Sequence, residues 1–574
     1  MNISFDPSSE QRRVIEAALV GQRVIACAGS GKTATAVRRL AEIRRRMGPS
    51  RQYVALLSYS NVAIRTFQRD YIQLTKQLPN ISNRVAICTV DSFVTTHILA
   101  AHASGTMGCA RQPFLVHGHE AFLKGFTFFN GKYGEDIQHL GVSISEGGGL
   151  LFYNNSNRGA PVQVPDTIAL PVIEKLGRTG AYTHELGRYW AVKTLVDNTH
   201  LLKILAHRYP FILVDEAQDI GTIHGVLLSL LRDEGTTVAL VGDPNQAIYE
   251  FAHADGTFLR DFDPGAGGLK QTLSENRRSV KPIVEVANSI CGSSFTSTRQ
   301  IPTRKHGAFL MMYRDAEIDK LLPTFAEILA SSGYSHEMSA VLCRGRDAVP
   351  RIAGAGDQTG QGATEKFARS AICRDRKGDI AEAFEFALDG VLKLLSSPPA
   401  NLRSLVVRGA ADLCARDLRR FVWAFLGSPM TGLPAANRKA KTDWHPVLKS
   451  NLEALLANIS GQCGLPTLLS WRHNITTKDL TNMPLWDQGL LASSAPLPRV
   501  MTIHQVKGES IDAVMYVLRP RDVKNVLAGP VHEEGRIAYV GLTRARDFLV
   551  VAIPDTTAPP VIAQFRSSGL ADWA

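Results

Sequence analysis

Phe211-Ile212-Leu213-Val214-Asp215-Glu216-Ala217-Gln218-Asp219 decides the fold of this 574-residue chain, because an apolar strand runs straight into two adjacent carboxylates. An uninterrupted apolar run of this length fits a strand buried on both faces of a parallel sheet. A terminal acid pair is how a nucleotide hydrolase holds magnesium beside a hydrolytic base. Asp215 is the expected magnesium ligand, directly or through water, and Glu216 the group that orients and deprotonates the attacking water.

The complementary motif lies upstream. The apolar run Arg23 to Ala28 leads through Ala26-Cys27-Ala28-Gly29-Ser30-Gly31-Lys32-Thr33 into a helical pattern from Ala34 to Met47. Strand, small-residue loop and helix come in the order a phosphate cradle requires. Ala28, Gly29, Ser30 and Gly31 let backbone N–H groups wrap phosphates, and the helix start adds its positive dipole end. Lys32 reaches the β and γ oxygens, and Thr33 can ligate magnesium. Ala26 stands where the usual pattern has glycine.

Composition fits a large enzyme of several domains: 45% of residues are apolar, ample for more than one core. No run approaches the roughly 18 apolar residues of a membrane span, and Met1 to Gln11 is polar. The expectation is therefore a cytoplasmic protein without membrane contact. The eight cysteines are scattered with no CxxC pair, which argues against a structural metal and against a disulfide framework. A formal charge of +11 suits a polyanionic partner. Arg38, Arg39, Arg44, Arg45 and Arg46 form the densest basic cluster; a solvated helix face and a phosphate track both fit it.

Strand-like runs recur at Tyr53–Ser58, Ala86–Thr89, Phe211–Val214 and Val238–Gly242. A second set lies at Phe309–Tyr313, Ala340–Arg344, Val500–Gln505, Val514–Leu518 and Phe548–Ile553, with helical stretches between most of them. Two sets predict two α/β cores with parallel sheets. The long segments Ala100 to His207 and Asp347 to Pro498 read as insertions, the second with a helix over Arg403–Leu426 whose stripe is Leu405, Val406, Leu413, Leu418, Val422 and Phe425.

The order of further motifs resembles the superfamily 1 helicases of the UvrD/Rep/PcrA type. It runs Ser58-Tyr59-Ser60-Asn61, Thr89-Val90-Asp91-Ser92-Phe93, the acidic motif at 215–219, Val241-Gly242-Asp243-Pro244-Asn245-Gln246-Ala247-Ile248-Tyr249, Asn276-Arg277-Arg278-Ser279, Thr502-Ile503-His504-Gln505-Val506-Lys507-Gly508 and Tyr539-Val540-Gly541-Leu542-Thr543-Arg544-Ala545. The resemblance implies an α/β fold of two RecA-like P-loop domains, each with a mainly helical inserted subdomain, and ATP with Mg2+ between them. Residues 1–99 and 208–264 would form the first domain around the insertion 100–207. Residues 265–346 and 499–574 would form the second around 347–498.

In that family Gln11 matches the glutamine that reads adenine, Gln246 the γ-phosphate sensor, and Arg278 and Arg544 the arginines brought by the second domain. Tyr59 and Phe251 match positions that stack on single-stranded bases, with Tyr249 a weaker candidate. Asn61, Thr89, Thr502 and His504 fall in the DNA-contacting motifs. This chain departs at Ala34 and Arg277, where relatives sandwich adenine between an arginine and a tyrosine, so nucleobase selectivity is expected to be looser. Ala252, Val62 and Glu509-Ser510 depart in the DNA-contacting motifs, where weaker affinity and coupling are expected.

The implied activity is an ATP-dependent 3′-to-5′ translocase and helicase on single-stranded and partial duplex DNA. An alternative is a nucleic-acid-sensing ATPase subunit that switches a protein partner, a nuclease or repair factor, as in Gabija-type antiphage defence. The short stretch after the last strand carries the expectation of no fused nuclease.

Overall fold

The computed structural model describes residues 6–76, 84–116, 120–129, 134–145, 148–156, 162–248, 255–345, 348–353, 362–396, 398–399, 402–408, 412–478, 480, 482–485 and 497–573. Phe211–Asp215 lies inside a six-stranded sheet. The strand order is Leu269–Leu273, Gln22–Ala26, Thr237–Gly242, Phe211–Asp215, Val54–Ser58, Val85–Thr89, and every pairing is parallel. Parallel register brings the carboxyl ends of the strands to one edge, so the loops after Ala26, Ser58, Thr89, Asp215 and Gly242 all open on the same side, where α/β sheets bind ligands.

The second sheet is also parallel, ordered Arg499–Thr502, Ser339–Cys343, Ile511–Val517, Ala545–Pro554, Gly307–Tyr313, Ala571–Asp572. Its central strand Ala545–Pro554 is almost wholly buried, which fits the apolar run Phe548–Ile553. The nine strand-like runs of the sequence all appear, with shifted ends.

Three expectations need correction. The boundary placed between 264 and 265 falls too early, because Leu269–Leu273 pairs with Gln22–Ala26 in the first sheet and Leu273 packs with Val14, Val24, Ala26 and Val241. As an edge strand with alternating exposure and polar Lys270 and Gln271, it gave little apolar signal. The helix expected over Arg403–Leu426 is two helices, Leu402–Arg408 and Leu413–Gly427. Asp412 caps the second by accepting the Ala415 N–H at 2.7 Å, and Leu413, expected in the apolar stripe, is 67% exposed. The arginine cluster at 38–46 is not a track: Arg39 and Arg44 are buried donors to backbone carbonyls, and Arg45 and Arg46 bond Glu42.

The two insertions differ in how they pack. The first contains the helices Ala100–Met107, Asp166–Gly177, His184–Asp197 and Thr199–Arg208, but also an antiparallel sheet of Leu140–Ile144, Leu150–Asn154 and Val162–Val164 that sequence reading did not anticipate. Its core is continuous with that of the first sheet, Trp190 and Ile173 sharing one cluster with Leu57 and Val214. The second insertion has a separate core around Trp444, Phe367, Leu418 and Leu452. Among the described residues no helix is long and apolar enough to cross a membrane, and no cluster of His, Cys, Asp and Glu is placed to hold a metal.

One polar knot ties the second sheet together. Asp547 on Ala545–Pro554 is fully buried and accepts from Arg299 Nε at 2.5 Å and Arg304 Nη2 at 2.9 Å, while Asp512 takes Arg304 and Arg546. Burial alone would push the Asp547 carboxyl up, but the Arg299 and Arg304 bonds outweigh it and hold the group below its usual 3.8. A carboxylate so depressed contributes stability above the unfolded-state pKa and loses it as pH falls toward the folded value. Asp547→Asn is expected to cost about 3–5 kcal/mol at pH 7 by leaving Arg299 without its anion and Arg304 with Asp512 alone. Urea midpoints at pH 7 and pH 3 check this: the gap between variant and wild type should shrink in acid.

Candidate functional site

The phosphate loop follows Gln22–Ala26 and ends at Gly31, the left-handed N-cap of the helix Lys32–Arg46. Gly29 and Gly31 have φ of 74° and 79°, which a side chain would strain. A Cβ at Gly29 would stand 2.6 Å from Arg278 Cβ and 2.7 Å from Asn276 Oδ1, and one at Gly31 would meet Gln11 Nε2 at 2.7 Å. The glycines therefore form a cradle, with residues from beyond the first sheet pressed against it. Ser30 Oγ donates to Cys27 O at 2.8 Å, which fixes the loop, and Lys32 Nζ lies 3.3 Å from the same carbonyl.

Asp215 and Glu216 face this cradle from the end of Phe211–Asp215. Asp215 is 1% exposed, and neither carboxylate oxygen has a hydrogen-bond partner of good geometry; the adjacent Glu216 N–H only eases its charge. Burial, then the neighbouring Glu216 charge, raise its pKa against the pull of Lys32. Buried carboxylate oxygens left in this state are what a cation ligand requires.

Glu216 is, among the described residues, the sole non-glycine with positive φ, at 54°. A left-handed glutamate costs on the order of 1–3 kcal/mol and marks a site where the side chain must be aimed. Burial pushes the Glu216 carboxyl up, but Lys32, Lys507, the Gln218 hydrogen bond and Arg544 together bring it below its usual value. It is thus held as the anion at neutral pH. Gln218 Nε2 donates to Glu216 at 2.5 Å while its Oε1 accepts the Asp243 N–H at 2.9 Å, wiring the acidic motif to the next strand end.

Residues of the second sheet complete the cluster. Arg544 Nη2 donates to Gln246 Oε1 at 3.1 Å, and Gln246 Nε2 donates to Asp243 at 2.6 Å. Tyr539 donates to Asp243 at 3.1 Å and receives the Ala28 N–H at 3.3 Å. Arg278 donates to Thr543 O at 3.1 Å; burial, then the Arg544 charge, bring its pKa down to about 9. Two guanidiniums crowded together out of water, bonded mainly to carbonyls and an amide, are poised for an anion.

Lys507 crosses from the second sheet to Asp219 with bonds of 2.7 and 2.8 Å, nearly out of solvent. Breaking a buried pair leaves an uncompensated charge. Lys507→Met is expected to lower the ATPase rate at saturating nucleotide by about tenfold or more and to lower the melting temperature as well, because Asp219 is left buried without its cation. An unchanged rate would remove this pair from cleft closure.

Gln11 and Arg277 are brought together beside the cradle. Gln11 Nε2 donates to Ser30 O at 2.8 Å, and its Oε1 accepts from Ser8 N–H and Arg277 Nη1, each at 3.0 Å. Thr33 is half-buried at the helix start. The nucleotide candidates Gln11, 28–33, Arg277, Arg278, Asp215, Glu216, Gln246 and Arg544 thus converge on one cleft.

The nucleic-acid candidates are more dispersed. Tyr59 bonds His224 Nδ1 at 3.2 Å with its ring edge-on to the imidazole, and His224 Nε2 lies 3.2 Å from Asp91. Asn61 is exposed at the start of Asn61–Lys76. Thr89 caps Val90–Val94 through the Ser92 N–H, and Thr502 spends its hydroxyl on Gln505 at 3.0 Å. His504 is half-buried against the Ile248 backbone; burial lowers its pKa. Tyr249, Phe251 and Ala252 lie outside the described residues.

Asp219, Asp243, Lys507 and Tyr539 were not singled out from the sequence. Each sits within a recognised motif, which was the available signal, but only tertiary contact shows what it touches.

Residues 183–266 match the family described as UvrD/REP helicase N-terminal domain. The chain is similar to the ATP-dependent DNA helicase UvrD2 of Mycobacterium tuberculosis, 26% identical over 60% of this chain and 47% of that protein. It is also similar to a DNA helicase II homolog of Rickettsia conorii, at 23% over 47% of this chain and 42% of the other. YjcD of Bacillus subtilis is 32% identical over 17% of this chain and 13% of its own length. The chain spans less than half the length of each of these relatives. The family match runs through the acidic motif, and the chain, on a fold of two parallel six-stranded sheets with both sets of motifs meeting in one cleft, is similar to UvrD-like helicases of superfamily 1.

Proposed function

We propose that the chain is a nucleic-acid-dependent ATPase that moves 3′ to 5′ along single-stranded DNA and displaces a complementary strand. The observation that carries this reading is the split site: Glu216, Lys32 and Gln246 belong to the first sheet's loops, while Arg278 and Arg544 come from beyond it and lie against them. A hydrolytic site divided in this way works only with the cleft shut, so hydrolysis and domain movement are coupled.

In this reading the amides of 28–33 and Lys32 bind the β- and γ-phosphates of ATP. Glu216, ionised and aimed by its left-handed backbone, takes a proton from the attacking water. Arg278 and Arg544 lose their mutual repulsion as they meet the charge of the transition state. Gln246, bonded to both Arg544 and Asp243, reports the state of the γ-phosphate to the Asp243–Tyr539 contact. Asp215 and Thr33 would hold Mg2+, which supplies neutralising charge on the phosphate oxygens. Tyr59, Asn61, Thr89, Thr502 and His504 are the proposed contacts to the strand, at the carboxyl edges of the two sheets.

The steady-state ATPase rate against single-stranded DNA of increasing length tests the proposal, with RNA and blunt duplex as comparisons. A rate that climbs with strand length supports translocation. A rate indifferent to length, or to DNA altogether, overturns it in favour of an ATPase that switches a partner.

A further inference from the structure

We infer that the opposite edge of the first sheet carries a second nucleic-acid site, a cluster of guanidinium groups that grips phosphate backbone outside the cleft. The cluster is made by the starts of three adjacent strands. Arg51 and Tyr53 lead into Val54–Ser58, Arg84 into Val85–Thr89, and His207 and Arg208 end the helix before Phe211–Asp215. Strand register binds these segments to one another: Tyr53 N–H donates to Arg208 O at 2.8 Å, Val54 N–H to Arg84 O at 3.2 Å, and Gln52 Nε2 to His207 O at 2.8 Å.

Two of the side chains are held in place by one ring. Half-buried Tyr53 has the Arg208 guanidinium 5.1 Å and the Arg84 guanidinium 5.6 Å from its centroid. Cation–π contact orders long side chains that would otherwise be mobile. Arg44, 1% exposed, donates to the carbonyls of Gly48, Ser50 and Gln52 and so fixes the turn that presents Arg51. Arg51, Arg84, His207 and Arg208 are all exposed.

Side-by-side cations on adjacent strands suit a linear polyanion. Neighbouring strands lie about 4.8 Å apart, so the starts of three consecutive strands bring these cations side by side. Nucleic acid presents a charge about every 3.4 Å along each strand, and guanidinium forks fit phosphate oxygens two at a time. The first sheet's five-residue strands separate this edge from the cleft edge by roughly 17 Å. The contacts therefore lie off the track named above; the choice of nucleic acid as the polyanion rests on the translocase reading. The Arg38–Arg46 helix, though denser in sequence, spends its guanidiniums internally, whereas this cluster is assembled from residues more than 150 positions apart.

The test uses the full chain carrying Arg51→Gln, Arg84→Gln and Arg208→Gln together, with the matching lysine triple as its control. Fluorescence anisotropy would follow labelled single-stranded DNA and a tailed duplex across a salt series, beside ATPase without nucleic acid. The glutamine triple is expected to weaken binding tenfold or more at low salt and to flatten the salt slope by about 2–3, at 0.7–0.9 per phosphate lost. The lysine triple should retain the slope, and basal ATPase should not change. Wild-type affinity and slope in the glutamine triple would overturn the site, as would equal losses in both triples, which would assign the arginines to holding the loops together. Wild-type protein that binds neither probe would instead remove the translocase reading and this site with it.

Discussion

Glu216→Gln is expected to lower the ATPase rate about 10²–10⁴-fold while nucleotide affinity stays near that of wild type. The substitution keeps the shape of the side chain and its contact with Gln218, so the left-handed backbone at 216 and the neighbouring Asp215 need not move. It removes only the negative charge that Lys32, Lys507 and Arg544 sustain. A loss confined to turnover at saturating ATP, with binding of a fluorescent ATP analogue intact, is the signature of a group acting in the transition state. A variant that hydrolyses within a few-fold of wild type would take Glu216 out of the base role despite its strained backbone.

Arg544→Ala should reduce turnover by about a thousandfold or more, the usual consequence of removing an arginine that meets transition-state charge. Its planar fork is held at three points, Val540 O, Glu509 O and Gln246 Oε1, which aims it across the cleft. Lysine cannot reproduce that geometry, so Arg544→Lys is expected to recover little. The readout is turnover together with stability: Arg544 is 1% exposed, and a truncation that also unfolded the chain would lose nucleotide binding and cooperative melting as well as rate. Retained melting with a drop of less than tenfold would mean that Arg544 holds Gln246 without meeting the phosphate. Arg278→Ala offers an independent comparison, since it approaches through Thr543 and the Gly29 loop.

The elements legible in the sequence were those whose chemistry is local. An unbroken apolar run announces a strand buried on both faces, and glycines at the turn of a phosphate loop announce the backbone they permit, so Phe211–Asp215 and the cradle at 28–33 could be read directly. Edge strands were harder. Leu269–Leu273 exposes every second residue and contributes no apolar run, so the first sheet looked one strand shorter than it is. The antiparallel strands of the first insertion were hidden for other reasons: Leu140–Ile144 is buried but its apolar run is broken by Gly141 and Ser143, Leu150–Asn154 ends in buried Asn154, and Val162–Val164 is only three residues long.

The sequence by itself determined the two parallel-sheet cores, the order of the nucleotide motifs and the identity of the groups that can do phosphate chemistry, because each follows from residue type and near-neighbour spacing. Only the tertiary structure decided which groups meet. Asp219 finds Lys507 and Asp243 finds Tyr539 across the cleft, and Tyr59 is tied to His224. Arg39 and Arg44 are absorbed by carbonyls, while Arg51, Arg84 and Arg208 assemble into a cluster. The reason is physical. A charged side chain acts through what lies within a few ångströms of it and through how much water is excluded there, and neither quantity exists until segments hundreds of residues apart have packed.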